Sequence, residues 1–267
     1  MEKTAFVTGG SRGIGRGIAQ LLGQKGYDIA FTYNSKLEEA ESLQRELREM
    51  GRRCFFYQAS LEREEVAEQV TDQAIADLGR LDVMICCAGL TAHNNLRKLT
   101  AEDIDFVYRL DYRSYMLCAK KAATHMIESG IAGNIVFITS TRGEQAYPED
   151  PLYGGMKAAL NRACESLALE LAEYGIRVNC VAPGATAVRG SFTPEELRGN
   201  PFARQIPLGR LGTPAEVAGL TAYLVSEEAA YITGTVMRMD GGLILPGIPM
   251  DAEAEAPSWF RLPDHYL

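Results

Sequence analysis

Positive charge is in deficit: 27 Lys and Arg stand against 35 Asp and Glu, a formal net of −8. That balance argues against nucleic-acid or anionic-membrane partners and leaves only local basic pockets for phosphate groups. Histidine is scarce, with His93, His125 and His265 alone, so no metal site built on imidazole is expected. The six cysteines (Cys54, Cys86, Cys87, Cys118, Cys164 and Cys180) include no C-x-x-C pair. They read as reduced core thiols rather than as disulfides or zinc ligands. No apolar run approaches the roughly 18–20 residues that span a bilayer. Met1-Glu2-Lys3 runs straight into the apolar stretch Thr4–Thr8, which leaves no room for a signal peptide. A soluble, cytoplasmic protein is expected.

What is present is alternation. The chain has 267 residues, 46% hydrophobic and 23% charged, enough for a large core and too apolar for a disordered chain. Short apolar runs recur at Ala5–Thr8, Asp28–Tyr33, Cys54–Tyr57, Val83–Cys87, Ile135–Ser140, Arg177–Val181 and Thr235–Met239. Between them lie helical spacings, such as Leu37, Ala40, Leu43, Leu47 and Met50, then Val66, Val70, Ala74 and Leu78. Ser35-x-x-Glu38, Thr100-x-x-Asp103 and Thr213-Pro214-x-Glu216 read as helix-opening capping boxes. The fold class expected is α/β, Rossmann-like and doubly wound, with a central parallel sheet of about seven strands flanked by helices. One dinucleotide-binding and catalytic domain is expected over residues 1–245, followed by a C-terminal tail over residues 246–267.

Where the first strand gives way to the first helix stands Thr8-Gly9-Gly10-Ser11-Arg12-Gly13-Ile14-Gly15. Glycines at this spacing allow a tight turn and close backbone approach to a pyrophosphate, which the helix N-terminus then meets with free N–H groups. The second strand ends in Tyr33-Asn34-Ser35-Lys36, with no Asp or Glu to hold the adenosine ribose hydroxyls. A 2′-phosphate there would meet Arg12, Asn34, Ser35 and Lys36. NADP(H) is therefore the preferred cofactor, with NAD(H) second.

Tyr153-Gly154-Gly155-Met156-Lys157 opens a helix, which sets the phenol and the ammonium one turn apart on one face. Reducing a ketone by hydride builds an alkoxide, so the site needs a proton donor and an oxyanion stabiliser. Tyrosine, with a reference pKa near 10, shuttles protons poorly at neutral pH unless a cation favours its phenolate. Lysine at this spacing would supply that cation. The segment follows Ile135–Ser140, a buried strand ending in a hydroxyl, and precedes Val178–Gly184.

Together with Ala88-Gly89, Pro183-Gly184 and Asp240-Gly241-Gly242, these motifs closely resemble the short-chain dehydrogenase/reductase family over Lys3–Leu243. The resemblance implies an oxidoreductase that interconverts a ketone and a secondary alcohol by hydride transfer. Ser140, Tyr153 and Lys157 would be catalytic, with Asp111 at the position of the family's fourth catalytic residue. Lys157 would also hold the nicotinamide ribose hydroxyls. Cofactor contacts are implied from Gly9, Ser11, Arg12, Gly13, Ile14, Gly15, Asn34 and Ser35. Others are implied from Ser60, Leu61, Cys87, Ala88, Gly89, Tyr153, Lys157, Pro183, Gly184 and Thr186.

Three features depart from the family. Cys86-Cys87 replaces two asparagines, and Ser60 replaces an acid near the adenine and also reads as a helix N-cap. Asp111 replaces the usual asparagine; it would accept from a relay water, offset part of the field at Tyr153 if ionised near Lys157, or pair with Arg109 or Arg113. Substrate walls are expected from Leu90–Asn95, Thr141–Leu152 and the lid-like loop Ala185–Pro207, with the capped short helix that opens at Thr193–Glu196. His93, Arg142, Glu144, Gln145 and Tyr147 are candidate contacts to a small carbonyl or alcohol substrate. Two alternatives stand beside this reading. One is a 3-oxoacyl-carrier-protein reductase, whose acidic carrier would dock at Arg109 and Arg113; the other is a dinucleotide-binding regulator or scaffold with little turnover. The resemblance also implies a homotetramer, or at least a dimer, through the helix Tyr153–Tyr174 and the strand Thr235–Met239. The apolar end of the tail, Ser258–Leu267 with Trp259, is expected to dock on the core or on a neighbouring subunit.

Overall fold

In the computed structural model, which describes residues 3–91, 95–189 and 192–245, seven strands form one all-parallel sheet. They are β1 (Thr4–Val7), β2 (Asp28–Tyr33), β3 (Cys54–Gln58), β4 (Val83–Cys86), β5 (Asn134–Ile138), β6 (Arg177–Pro183) and β7 (Val236–Met239). Their order is β3-β2-β1-β4-β5-β6-β7. The chain winds outward from β1 to β3, then crosses to β4 and winds the other way. That reversal opens a crevice beyond the carboxyl ends of β1 and β4, where ligands of open α/β sheets bind.

Helices cover both faces, which is why β1, β2 and β4 are buried at every residue. One face carries α1 (Gly13–Gln24), α2 (Leu37–Glu49) and α8 (Pro214–Leu224); the other carries α3 (Val66–Leu78), α5 (Ser114–Glu128) and α6 (Tyr153–Leu171). Alternation along each strand feeds two cores. Phe6, Met84 and Phe137 pack with Tyr115 and Leu160 on one side. Val7, Ile85 and Val136 pack with Ile18, Leu43 and Val217 on the other. A third, small cluster of Leu197, Ile206, Leu211 and Leu243 lies under α7 (Pro194–Gly199).

Between α4 (Ala101–Tyr108) and α5 the helix continues through a π-helical turn at Arg109–Arg113. The wider turn shifts the register of the helix face and turns Asp111 fully inward, at 0% exposure.

The capping boxes at Thr100, Thr193 and Thr213 form as expected. Two hydroxyl caps do not. α2 begins at Leu37 behind Lys36, with no side-chain cap; Glu38 and Glu39 in its first turn answer the helix dipole instead. Ser60 does not cap α3 either. Its carbonyl accepts the N–H of Arg63 in a turn, and the helix opens five residues later, behind Glu65 at φ 66°. Among the described residues no helix is long and apolar enough to cross a membrane. His93 and the tail over residues 246–267 lie outside the described residues.

Candidate active site

The glycine turn is fastened to the exit of β4 by one buried hydroxyl. Thr8 Oγ1 accepts the N–H groups of Cys87 at 2.9 Å and Ala88 at 3.1 Å. Gly9 sits at φ +67°, and a Cβ there would stand 2.9 Å from Ala88 Cα. Only glycine serves both demands. Arg12, at the N-cap of α1, gives no side-chain cap, and the first turn of α1 carries no acid. The positive end of α1 and its free N–H groups therefore face an open crevice, which suits a pyrophosphate.

That crevice is a cleft of about 440 Å³, within the roughly 300–1,000 Å³ of small-molecule sites. Of the residues expected from the sequence, it is lined by Gly9, Ser11, Arg12, Gly13, Ile14, Gly15, Asn34, Leu61, Cys87, Ala88, Gly89, Tyr153 and Lys157. Ser35, Ser60, Asp111, Ser140, Pro183, Gly184 and Thr186 are not part of its lining. Leu90, Thr91, Val188 and Arg189 come from two of the three expected walls, whereas Thr141–Leu152 contributes nothing to it. Thr32, Tyr33, Ala59, Glu62, Phe106, Leu110, Ile138 and Thr139 line it as well, outside the motifs. Most sit at strand ends, so the rule that ligands bind beyond strand C-termini is the signal that finds them. Burial pushes the Cys87 thiol up to about 12, partly offset by Lys157, so Cys87 lines the cleft as a neutral thiol. A larger cavity of about 950 Å³ on the outer flank of α1 shares Ser11, Arg12 and Gly13 and adds Arg16, Lys36 and Glu39, but holds neither Tyr153 nor Lys157.

Lys157 is the electrostatic centre. Its side chain is 3% exposed. Its Nζ lies 3.1 Å from Asp111 Oδ1, and it donates to Tyr115 Oη at 3.2 Å and to the Ile138 carbonyl at 3.4 Å. It also lies 5.4 Å from the centre of the Tyr153 ring. Burial pulls the ammonium down, but Tyr115, Asp111 and Tyr153 outweigh it, so the pKa is raised and the charge is kept. Burial pushes the Asp111 carboxyl up, against the pull of Lys157 and of the Leu90 N–H on Oδ2. Burial likewise raises Tyr115, so that hydroxyl stays protonated. Asp111 thus pairs with neither arginine expected for it. Arg109 is bound to Asp105 at 2.9 Å, and Arg113 donates to the Glu62 carbonyl at 2.7 Å.

Asp111 fits only because Gly89 lacks a side chain. A Cβ at Gly89 would collide with Asp111 Oδ1 and stand 3.4 Å from Lys157 Nζ. Gly89→Ala is therefore expected to cost about 1–3 kcal/mol, the usual cost of overpacking, and to weaken dinucleotide binding. Urea denaturation and fluorescence titration check both effects.

Ser140 lies two residues beyond β5, at the start of the turn Thr141–Gly143; it is 8% exposed, and its Oγ accepts the N–H of Arg142 at 3.2 Å. Arg142 lies 3.3 Å from Asp150, whose side chain is 1% exposed. Asp150 in turn accepts the N–H of Gly154 at 3.3 Å, in the first turn of α6. Through this chain of contacts the Ser140 turn is tied to the helix that begins with Tyr153. Arg142 also stacks over Tyr147 at 4.7 Å.

Comparison with known proteins agrees with this geometry. The family model described as enoyl-(acyl carrier protein) reductase matches residues 9–244. Glucose 1-dehydrogenase 2 of Bacillus subtilis (strain 168) is 34% identical over 245 residues, 91% of this chain and 95% of that protein. The 3-oxoacyl-(acyl-carrier-protein) reductase FabG of Aggregatibacter actinomycetemcomitans is 37% identical over 244 residues, 91% of this chain and 100% of that protein. The crystal structure of the acetoin dehydrogenase YohF from Salmonella typhimurium superposes with a TM-score of 0.89 at 33% identity, covering 94% of this chain and 99% of that one. With the motifs, the reversed sheet order and this coverage in agreement, the chain belongs to the short-chain dehydrogenase/reductase family, oxidoreductases acting on carbonyl and alcohol groups with a nicotinamide cofactor.

Proposed function

We propose that this protein interconverts a ketone and a secondary alcohol, with Tyr153 as the acid/base and NADP(H) as the preferred cofactor. The observation that carries the reading is that Tyr153, Lys157 and the uncapped N-terminus of α1 line one cleft. The glycine loop would hold the pyrophosphate and Lys157 the nicotinamide-side ribose. When bound, the nicotinamide supplies or accepts the hydride. In reduction, Tyr153 Oη gives its proton to the substrate oxygen as the carbonyl carbon receives the hydride. Ser140 donates a hydrogen bond to that oxygen, and the Lys157 charge favours the tyrosinate left behind. Oxidation of the alcohol runs the same transfers backward.

Arg12 supports the NADP(H) preference. It lines the cleft, is exposed, and has no carboxylate partner among the described residues. Arg12→Ser is expected to weaken NADPH binding about 10- to 100-fold, the worth of a charge-assisted hydrogen bond, and NADH binding far less. Fluorescence titration of both cofactors checks this, and equal losses overturn the assignment. A carrier-protein substrate is the weaker reading, because Asp105 and the Glu62 carbonyl already hold Arg109 and Arg113. Homo-oligomerisation, as a tetramer or dimer, belongs to the same proposal: β7 ends the sheet, and Leu169 on α6 is 83% exposed. A screen of ketones and secondary alcohols with both cofactors tests the function. No turnover with any of them, beside normal cofactor binding, favours a regulator or scaffold instead.

A further inference from the structure

Tyr115 has no part in the reaction as described, yet it is the neutral group closest to the catalytic charge. It is the second residue of α5, one helical turn beyond Asp111, and it is 1% exposed. Its ring packs on Phe137 with centroids 5.8 Å apart. Its hydroxyl donates to the Ile138 carbonyl at 3.3 Å and accepts from Lys157 Nζ at 3.2 Å.

An ammonium has three N–H groups. Tyr115 Oη and the Ile138 carbonyl take two of those on Lys157. Asp111 Oδ1 lies 3.1 Å away but receives no aligned hydrogen bond. The ion pair therefore fixes the charge without fixing its direction. Beside Asp111 alone, an ammonium on a flexible stem could turn its N–H groups in any direction at the same distance from Oδ1. Tyr115 supplies a second anchor, held in place by Phe137 and Ile138. It leaves one N–H of Lys157 unassigned on the residue that lines the cleft beside Tyr153.

We infer that Tyr115 is a positioning residue, which aims the free N–H of Lys157 into the cleft at a vicinal diol, the ribose hydroxyls on the nicotinamide side of the cofactor. The inference rests on the proposed dinucleotide site. Titrations use the full-length protein, whichever of NADPH or NADH the wild type binds more tightly, and the matching fragment without the nicotinamide ribose (2′,5′-ADP or ADP). Tyr115→Phe keeps the ring and removes the hydroxyl. It is expected to raise the Kd of the whole dinucleotide about three- to tenfold, the range for one hydrogen bond, and to leave the fragment's Kd unchanged. In a Lys157→Met background the same substitution is expected to change neither affinity, since its route is through Lys157. Equal weakening of dinucleotide and fragment, no weakening of either, or an undiminished effect in the Lys157→Met background overturns the inference. A wild type that binds neither ligand overturns the dinucleotide reading itself, which a selective loss in Tyr115→Phe cannot do.

Discussion

Tyr153→Phe is expected to lower kcat at least about 100-fold, and up to about 10,000-fold, on any ketone the enzyme reduces. That is the range for loss of a positioned general acid, or roughly 3–5 kcal/mol of barrier. No neighbour stands ready to replace the phenol. Ser140 can donate a hydrogen bond, but an alkyl hydroxyl is a far weaker acid than a phenol, and the raised pKa of Lys157 keeps its proton in the Asp111–Tyr115 nest. The ring itself survives the substitution, so the contact with Lys157 and the shape of the cleft are kept. Cofactor affinity is expected to fall at most about tenfold, the range for one hydrogen bond, since the lost hydroxyl is one of many groups expected to touch the dinucleotide. Single-turnover oxidation of the reduced cofactor, followed by its absorbance at saturating ketone, separates the two quantities. Turnover at the wild-type rate would falsify the assignment of Tyr153 as the acid/base.

The local parts of this site were legible in the sequence; the parts made by distant segments were not. The glycine turn and Tyr153-x-x-x-Lys157 each lie within one strand–helix junction or one helical turn, so spacing alone fixes their geometry. The strand–helix alternation was equally legible, because a sheet covered on both faces needs runs that are apolar at every residue. The ion pair of Asp111 was legible only through the family resemblance, which sets that position near Lys157. Arg109 and Arg113 are its neighbours along the chain, but the π-helical turn at Arg109–Arg113 rotates the carboxylate inward, toward a lysine 46 positions later in the sequence. Tyr115 was hidden for the same reason. Nothing in an isolated Asp-Tyr-Arg-Ser-Tyr segment says that its second tyrosine faces an ammonium. Ser35 and Ser60 show the opposite error, since each has the right hydroxyl for a cap but the backbone enters its helix one and five residues further on. A short cap motif states a preference, and the connection it sits in decides whether the preference is used.

Lys157→Met is expected to destabilise the protein by about 3–5 kcal/mol at neutral pH, the usual result of stranding one member of a buried ion pair. Asp111 is 0% exposed. With the ammonium gone, its remaining support is the Leu90 N–H, at 3.3 Å from Oδ2. The sign of the pH dependence follows. Burial already raises the Asp111 carboxyl, and removing Lys157 takes away the largest influence that lowers it. A group whose folded pKa lies above its unfolded value, near 3.9 for an aspartate, gives stability that is fully present below the unfolded value. That stability is lost as the pH rises through the folded one. The deficit of Lys157→Met against wild type should therefore be largest near pH 7.5 and shrink on acidification through the raised value. Urea denaturation across that interval, with the m-value held as a check on the unfolded state, reads it directly. Adding Asp111→Asn to Lys157→Met replaces the stranded charge by a neutral amide, so most of the lost stability should return. Activity should not, because the charge beside Tyr153 is still missing. A double variant as unstable as Lys157→Met would show that lost packing of the lysine stem, rather than the buried carboxylate, is the cause. If stability and activity returned together, Lys157 would serve only to neutralise Asp111, and its place in the chemistry would fall.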